Sequence, residues 1–165
     1  MAALTPGTSA PDFTLPSVDG KKFSLKETLA RGPVVVAFFK VSCPVCQYAL
    51  PYLERIYKVY GNKKVTIVGV SQDKQRDTLA FIQEYGITFP VLLDDTNSYP
   101  VSNAYSLTNV PTVFWIAEDG EIAISSVGWS RKDVEDMHQK AAEELGAGVV
   151  PLFKPGEDVR DFRAG

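Results

Sequence analysis

Val34-Val35-Val36-Ala37-Phe38-Phe39, then Lys40-Val41-Ser42, then Cys43-Pro44-Val45-Cys46, is the stretch on which the fold of this chain turns. A continuous apolar run rich in β-branched residues reads as a central parallel strand covered on both faces. Beyond it the apolar positions are Val45, Tyr48, Ala49, Tyr52, Leu53, Ile56, Tyr57 and Tyr60. That i, i+3, i+4 series predicts a helix facing a sheet, closed by Gly61-Asn62 and kinked at Pro51. The cysteine pair therefore falls between a buried strand and an amphipathic helix.

Upstream, apolar residues flank a Val18-Asp19-Gly20 turn and predict a β-hairpin. Ser24 with Glu27 predicts a capped short helix ending near Gly32-Pro33. Downstream, Val65 to Val70 reads as a second buried strand, followed by a helix from about Gln75 to Tyr85 closed by Gly86. Phe89 to Leu93 reads as a strand and Tyr99 to Tyr105 as a short helix. Thr112 to Ile116 and Glu121 to Val127 form a hairpin about Glu118-Asp119-Gly120. A last helix covers roughly Arg131 to Leu145. The expected class is α/β, with a central mixed sheet, flanking helices and an N-terminal hairpin. At 165 residues the chain suits one domain, expected over 1–146. Residues 147–165, rich in Pro, Gly and charge, are expected to lie over the surface as a tail.

The only two cysteines are Cys43 and Cys46. A secreted scaffold would spread several pairs to close long loops, and an adjacent pair closes almost nothing. The pair therefore points to chemistry. At a helix N-terminus, Cys43 meets unpaired backbone N–H groups and the positive end of the dipole, which favour a thiolate. Cys46, one turn deeper on the same face, is placed to attack a mixed disulfide formed at Cys43. Cys43 is the expected attacking residue and Cys46 the resolving one. Zinc is disfavoured because no other cysteine completes a ligand set. His138, the only histidine, is expected to be exposed on the last helix.

A net charge of −3 with both signs interspersed leaves no basic footprint for nucleic acid or anionic lipid. No stretch approaches the roughly 18 apolar residues of a membrane-spanning helix. The first ten residues lack the basic and apolar regions of a signal peptide, so a cytoplasmic location is expected.

These features resemble the thioredoxin-like superfamily, and within it the TlpA-like and alkyl hydroperoxide reductase/thiol-specific antioxidant (redoxin) group. The resemblance spans about residues 4 to 146. It rests on Ala10-Pro-Asp-Phe-Thr-Leu15, the Asp19-Gly20 turn, Phe38-Phe39 before Cys43-x-x-Cys46, Pro51, and Val110-Pro111-Thr112. It implies a thioredoxin-like fold and thiol–disulfide exchange with a protein thiol or disulfide substrate or an upstream reductant. No cofactor beyond the dithiol is implied. Carried over, Pro111 is a cis proline beside the cysteines, against the alternative of a trans proline opening an edge strand. Val110 is then the residue whose backbone pairs with the substrate chain. Pro44 and Val45, between the cysteines, join it as expected docking residues. Lys40 is a candidate for stabilising the Cys43 thiolate, against the commoner role of a solvent-facing lysine at a strand end.

The chain also departs from the group. Ala37 stands where thioredoxins bury an aspartate, Ala49 where TlpA-like proteins often carry a glutamate, and Ser42 where a tryptophan is usual. The proton acceptor for Cys46 is left unassigned. A peroxiredoxin-like peroxidase is the rival enzyme. Its Pro-x-x-x-Thr/Ser-x-x-Cys pattern fits neither cysteine: Lys40 and Val36 precede Cys43, while Cys43 and Phe39 precede Cys46. A non-catalytic binding module of the same fold is the other alternative. Oligomeric state is left open.

Overall fold

The structure, a computed structural model, describes residues 2–61 and 63–165. In chain order its elements are β1 (Thr14–Pro16), β2 (Lys22–Ser24), α1 (Leu25–Leu29), β3 (Val34–Phe39) and α2 (Pro44–Tyr60). Then come β4 (Thr66–Ser71), α3 (Gln75–Tyr85), β5 (Val91–Leu93), α4 (Pro100–Ala104) and β6 (Thr112–Ile116). The chain ends with β7 (Ile122–Val127), β8 (Trp129–Ser130), α5 (Arg131–Glu144) and β9 (Phe162–Arg163). The central sheet has the order β5-β4-β3-β6-β7. β3, β4 and β5 are parallel, and β6 and β7 antiparallel to their neighbours. This is the α/β class expected, with β1 and β2 as the N-terminal hairpin.

β3 is buried along its whole length, and its alternating side chains feed two cores. Val35, Ala37 and Phe39 meet α2, α5 and Phe81 of α3 on one face. Val34, Val36 and Phe38 meet the hairpin, Leu25, Val101 and Tyr105 on the other. α2 lays Cys46, Ala49, Leu50, Leu53 and Ile56 on the first core and runs on through Pro51. It ends at Gly61, and the expected companion Asn62 lies outside the described residues. Ser24 caps α1 through the Glu27 amide, and Gly86 ends α3 in the left-handed region (φ +67°).

Two expectations need correction. His138 is buried: it sits on the α5 face that packs against Tyr60, with its Nε2 2.5 Å from the Val150 carbonyl. The tail that covers it could not be placed from helical periodicity. The tail is also more than a surface layer, because Leu152 and Val159 are buried in the first core. It runs antiparallel to α2. The Val150 amide donates to Tyr60 Oη (3.3 Å), Arg55 pairs with Glu157 (2.8 and 2.7 Å), and the Arg160 amide donates to Tyr48 Oη (3.1 Å). β9 then pairs with β8.

Glu54 ties α2 to the start of the β5 segment. Its buried carboxylate accepts from the Thr88 amide (2.7 Å), the Phe89 amide (3.2 Å) and the Thr88 hydroxyl. Removing a buried acceptor leaves each donor with its desolvation cost. Glu54→Ala should destabilise the protein by about 2–4 kcal/mol, with Glu54→Gln milder, as read by urea unfolding.

Candidate active site

The site forms where β3 ends and α2 begins, at the carboxyl edge of the parallel strands. Cys43 is the N-cap of α2 with extended backbone (φ −84°, ψ 115°), and Pro44 occupies the first turn, where no N–H is needed. The Cys43 sulfur accepts the Cys46 amide at 3.2 Å, as a capping side chain does. From the other side its thiol donates to the Val110 carbonyl at 3.5 Å. The Val110–Pro111 bond is cis, and Pro111 is buried. The Pro111 carbonyl accepts from Gly128 (2.7 Å) and the Asn109 carbonyl from Thr112 Oγ1 (2.8 Å), which hold that loop in place. Cys43, Cys46, Val110 and Pro111, far apart in sequence, thus lie in one place.

The two thiols stand in different surroundings. Cys43 is half-buried and Cys46 is wholly enclosed beneath it. Burial pushes the Cys46 thiol well above its ordinary range, and the neighbouring Cys43 sulfur and the Asp73 carboxylate push it further. Cys46 is therefore a protonated thiol in the resting dithiol.

The remaining expected residues divide. Pro44 is exposed beside Cys43. Val45 departs from the docking role expected of it: helical period turns it inward, where it is 8% exposed and packs in the first core. Lys40 is exposed and meets the site through its backbone, its carbonyl accepting from the Cys43 amide (3.3 Å).

Asp73 and Gln47 were not anticipated. Asp73 Oδ2 accepts from the Val41 amide (2.8 Å), and Gln47 Nε2 donates to the Val41 carbonyl (2.9 Å), so both fix the loop that delivers Cys43. Asp73 follows β4, the parallel neighbour of β3. Sites in such sheets gather beyond the carboxyl ends of adjacent strands, and that rule could have found it. Among the described residues, no cluster of three metal-ligating side chains occurs.

Sheet order, cis proline and capped cysteine pair define a thioredoxin-fold dithiol protein. A model of the AhpC/TSA family matches residues 6–125. The chain belongs to that family. It is 31% identical over 156 residues to the thiol-disulfide oxidoreductase ResA of Bacillus subtilis (strain 168), covering 94% of this chain and 79% of the relative. ResA of Geobacillus thermodenitrificans (strain NG80-2) is 30% identical over 138 residues, 83% of this chain and 76% of the relative. Among solved structures, a putative protein disulfide isomerase from Bacteroides thetaiotaomicron superposes with a TM-score of 0.79 at 25% identity, covering 90% and 96% of the two chains. A putative thiol:disulfide interchange protein DsbE from Chlorobium tepidum gives 0.75 at 27% identity, covering 87% and 100%.

The raised Cys46 thiol has a consequence for stability. The unfolded chain ionises a cysteine near about pH 8.5, while the folded protein holds this one protonated. Above that pH the unfolded state binds fewer protons, so stability falls as pH rises, by up to about 1.4 kcal/mol per unit. Denaturant midpoints of the reduced protein should drop between about pH 8.5 and pH 10, and Cys46→Ala should flatten the slope. Tyr52, raised to about 12 by burial and by Tyr48, adds its own slope only above that window.

Proposed function

We propose that the protein is a thiol–disulfide oxidoreductase that exchanges electrons with protein disulfides, with Cys43 attacking and Cys46 resolving. The observation that carries the assignment of roles is the asymmetry of the pair: a half-buried sulfur capping a helix above a wholly buried, protonated one.

Cys43 as a thiolate attacks one sulfur of the client disulfide. The Cys43–client bond forms as the client S–S bond breaks, and the other client sulfur leaves as a thiolate. Cys46 then gives up its proton and attacks the Cys43 sulfur. The Cys43–Cys46 disulfide forms, the mixed disulfide breaks, and the first client sulfur leaves. The client gains two electrons, and its two thiolates take up protons matching those lost by Cys43 and Cys46. Run backwards, the same steps oxidise a client dithiol, and the potential of the compartment sets the direction. Val110 offers backbone to the client beside Cys43, as its place in the cis-proline loop suggests. The Asp73 carboxylate bears on Cys46 through its charge, which helps to keep that thiol protonated until the mixed disulfide has formed.

The deciding experiment mixes reduced protein with a model protein disulfide and, separately, with hydrogen peroxide, and follows loss of both thiols. Rapid exchange with slow peroxide reaction is expected; the reverse order would make the protein a peroxidase, and inertness to both a binding module. Cys43→Ser should abolish exchange, and Cys46→Ser should accumulate the mixed disulfide. Quench-flow with mass detection of the mixed disulfide reads both steps.

A further inference from the structure

Residues 160–165 reach the site along a path that the fold itself lays down. The tail descends α2 from Tyr60 past Arg55 to Tyr48, and so arrives at the cysteine end of that helix. There β9 pairs with β8, setting Arg163 opposite Trp129, and the chain continues to the cis-proline loop. Asn109 Nδ2 donates to the Gly165 carbonyl at 3.1 Å. Gly165 lies so close to Val110 that a Cβ added to it would stand 2.4 Å from the Val110 oxygen. Gly128, at φ +75°, is matched just as closely: a Cβ there would stand 2.4 Å from the Arg163 oxygen and 3.0 Å from the Gly165 nitrogen. The Val110 carbonyl is therefore bordered on one side by the Cys43 thiol and on another by Gly165.

We infer that residues 163–165 are an intramolecular occupant of the strand-docking edge formed by Asn109, Val110 and Gly128. A client polypeptide must unseat them before its disulfide reaches Cys43. The inference rests on the oxidoreductase reading and adds the form of the partner: an extended chain, small where its backbone crosses Val110. The chain's own Ala164-Gly165 has that form.

Residues 163–165 are held less firmly than the segment before them. Leu152 and Val159 are buried, and the Arg160 carbonyl accepts from the indole of Trp129 at 2.6 Å. The segment up to Arg160 is thus anchored by buried Leu152 and Val159 and by the Arg55–Glu157 pair. Beyond Asp161, which accepts from the Arg131 amide, Phe162, Ala164 and Gly165 are exposed and Arg163 is half-buried over the Tyr48 ring. Segments with few buried apolar contacts open at little free-energy cost.

The test compares the intact reduced protein with a variant lacking Arg163, Ala164 and Gly165, and with Gly165→Val in the full chain. Both variants keep the Trp129–Arg160 bond, and Gly165→Val removes no residue, so a folding defect in the deletion leaves a second reading. Rates are measured with insulin as the protein disulfide and with a small aromatic disulfide that needs no strand docking. If the edge is open about a tenth of the time, both variants should exchange with insulin about tenfold faster, with the small disulfide changed less than about twofold. An unchanged or lower insulin rate beside a normal small-disulfide rate overturns the inference and leaves the oxidoreductase standing. An equal rise with both substrates overturns it too, since the segment would then shield the sulfur rather than fill a strand site. Inertness of the intact protein and both variants towards both disulfides would overturn the oxidoreductase reading itself.

Discussion

Burial of β3 on both faces is the constraint from which the rest of the structure follows. A strand so placed needs a cover on each side, and its alternating residues assign those covers. Ala37 and Phe39 require α2 on one face, while Val36 and Phe38 require Tyr105, Phe13 and Phe114 on the other. α2 must therefore start close to the end of β3 and lie back across the sheet. The short loop between them leaves Cys43 at the helix N-terminus and Cys46 one turn inside, against the core. The difference between the two sulfurs is thus a by-product of packing, because the helix face that covers the sheet is the one that carries Cys46.

The second half of the site comes from the antiparallel side of the sheet. β6 pairs with β3 so that Thr112 lies opposite Phe38. The residues just before β6 therefore stand beside the residues just after β3. This juxtaposition puts the Val110 carbonyl within reach of the Cys43 sulfur. On the parallel side, β4 places Ser71 opposite Phe39 and so sets Asp73 under the Val41 amide. Three strand ends, two of them distant in sequence from the cysteines, converge on one loop.

How much of this was legible in the sequence depended on the range of the interaction that decides it. β3, α2, α3 and β6 were read from apolar period and composition, because their neighbours along the chain carry the signal. The cysteine pair and cis Pro111 were read from local motifs and the family resemblance. Asp73 was missed because its meaning lies in a backbone amide 32 positions away. His138 was misjudged for a similar reason: it lies on a polar helix, and what buries it is Val150, from a tail with no periodic signal. Val45 carried two readings, as the first of the apolar helix positions and as a docking residue between the cysteines, and its burial in the core follows the first.

The same helix also grades the stability of the tail. Tyr60, Arg55, Tyr52 and Tyr48 follow one another along α2, at the edge of the first core, and each meets the tail in turn. At the far end the contacts are a bidentate ion pair, a ring pair with Phe153 and buried Leu152. At the cysteine end they thin to a two-residue strand pair, one cation over a ring and one side-chain amide. An element held this way opens where its buried contacts are fewest, at residues 163–165. Opening from that end uncovers Val110 while leaving Trp129 packed and its indole bonded to Arg160. Access to the backbone beside Cys43 can therefore change without disturbing the core that keeps Cys46 buried and protonated, which separates client docking from the chemistry of the resolving thiol.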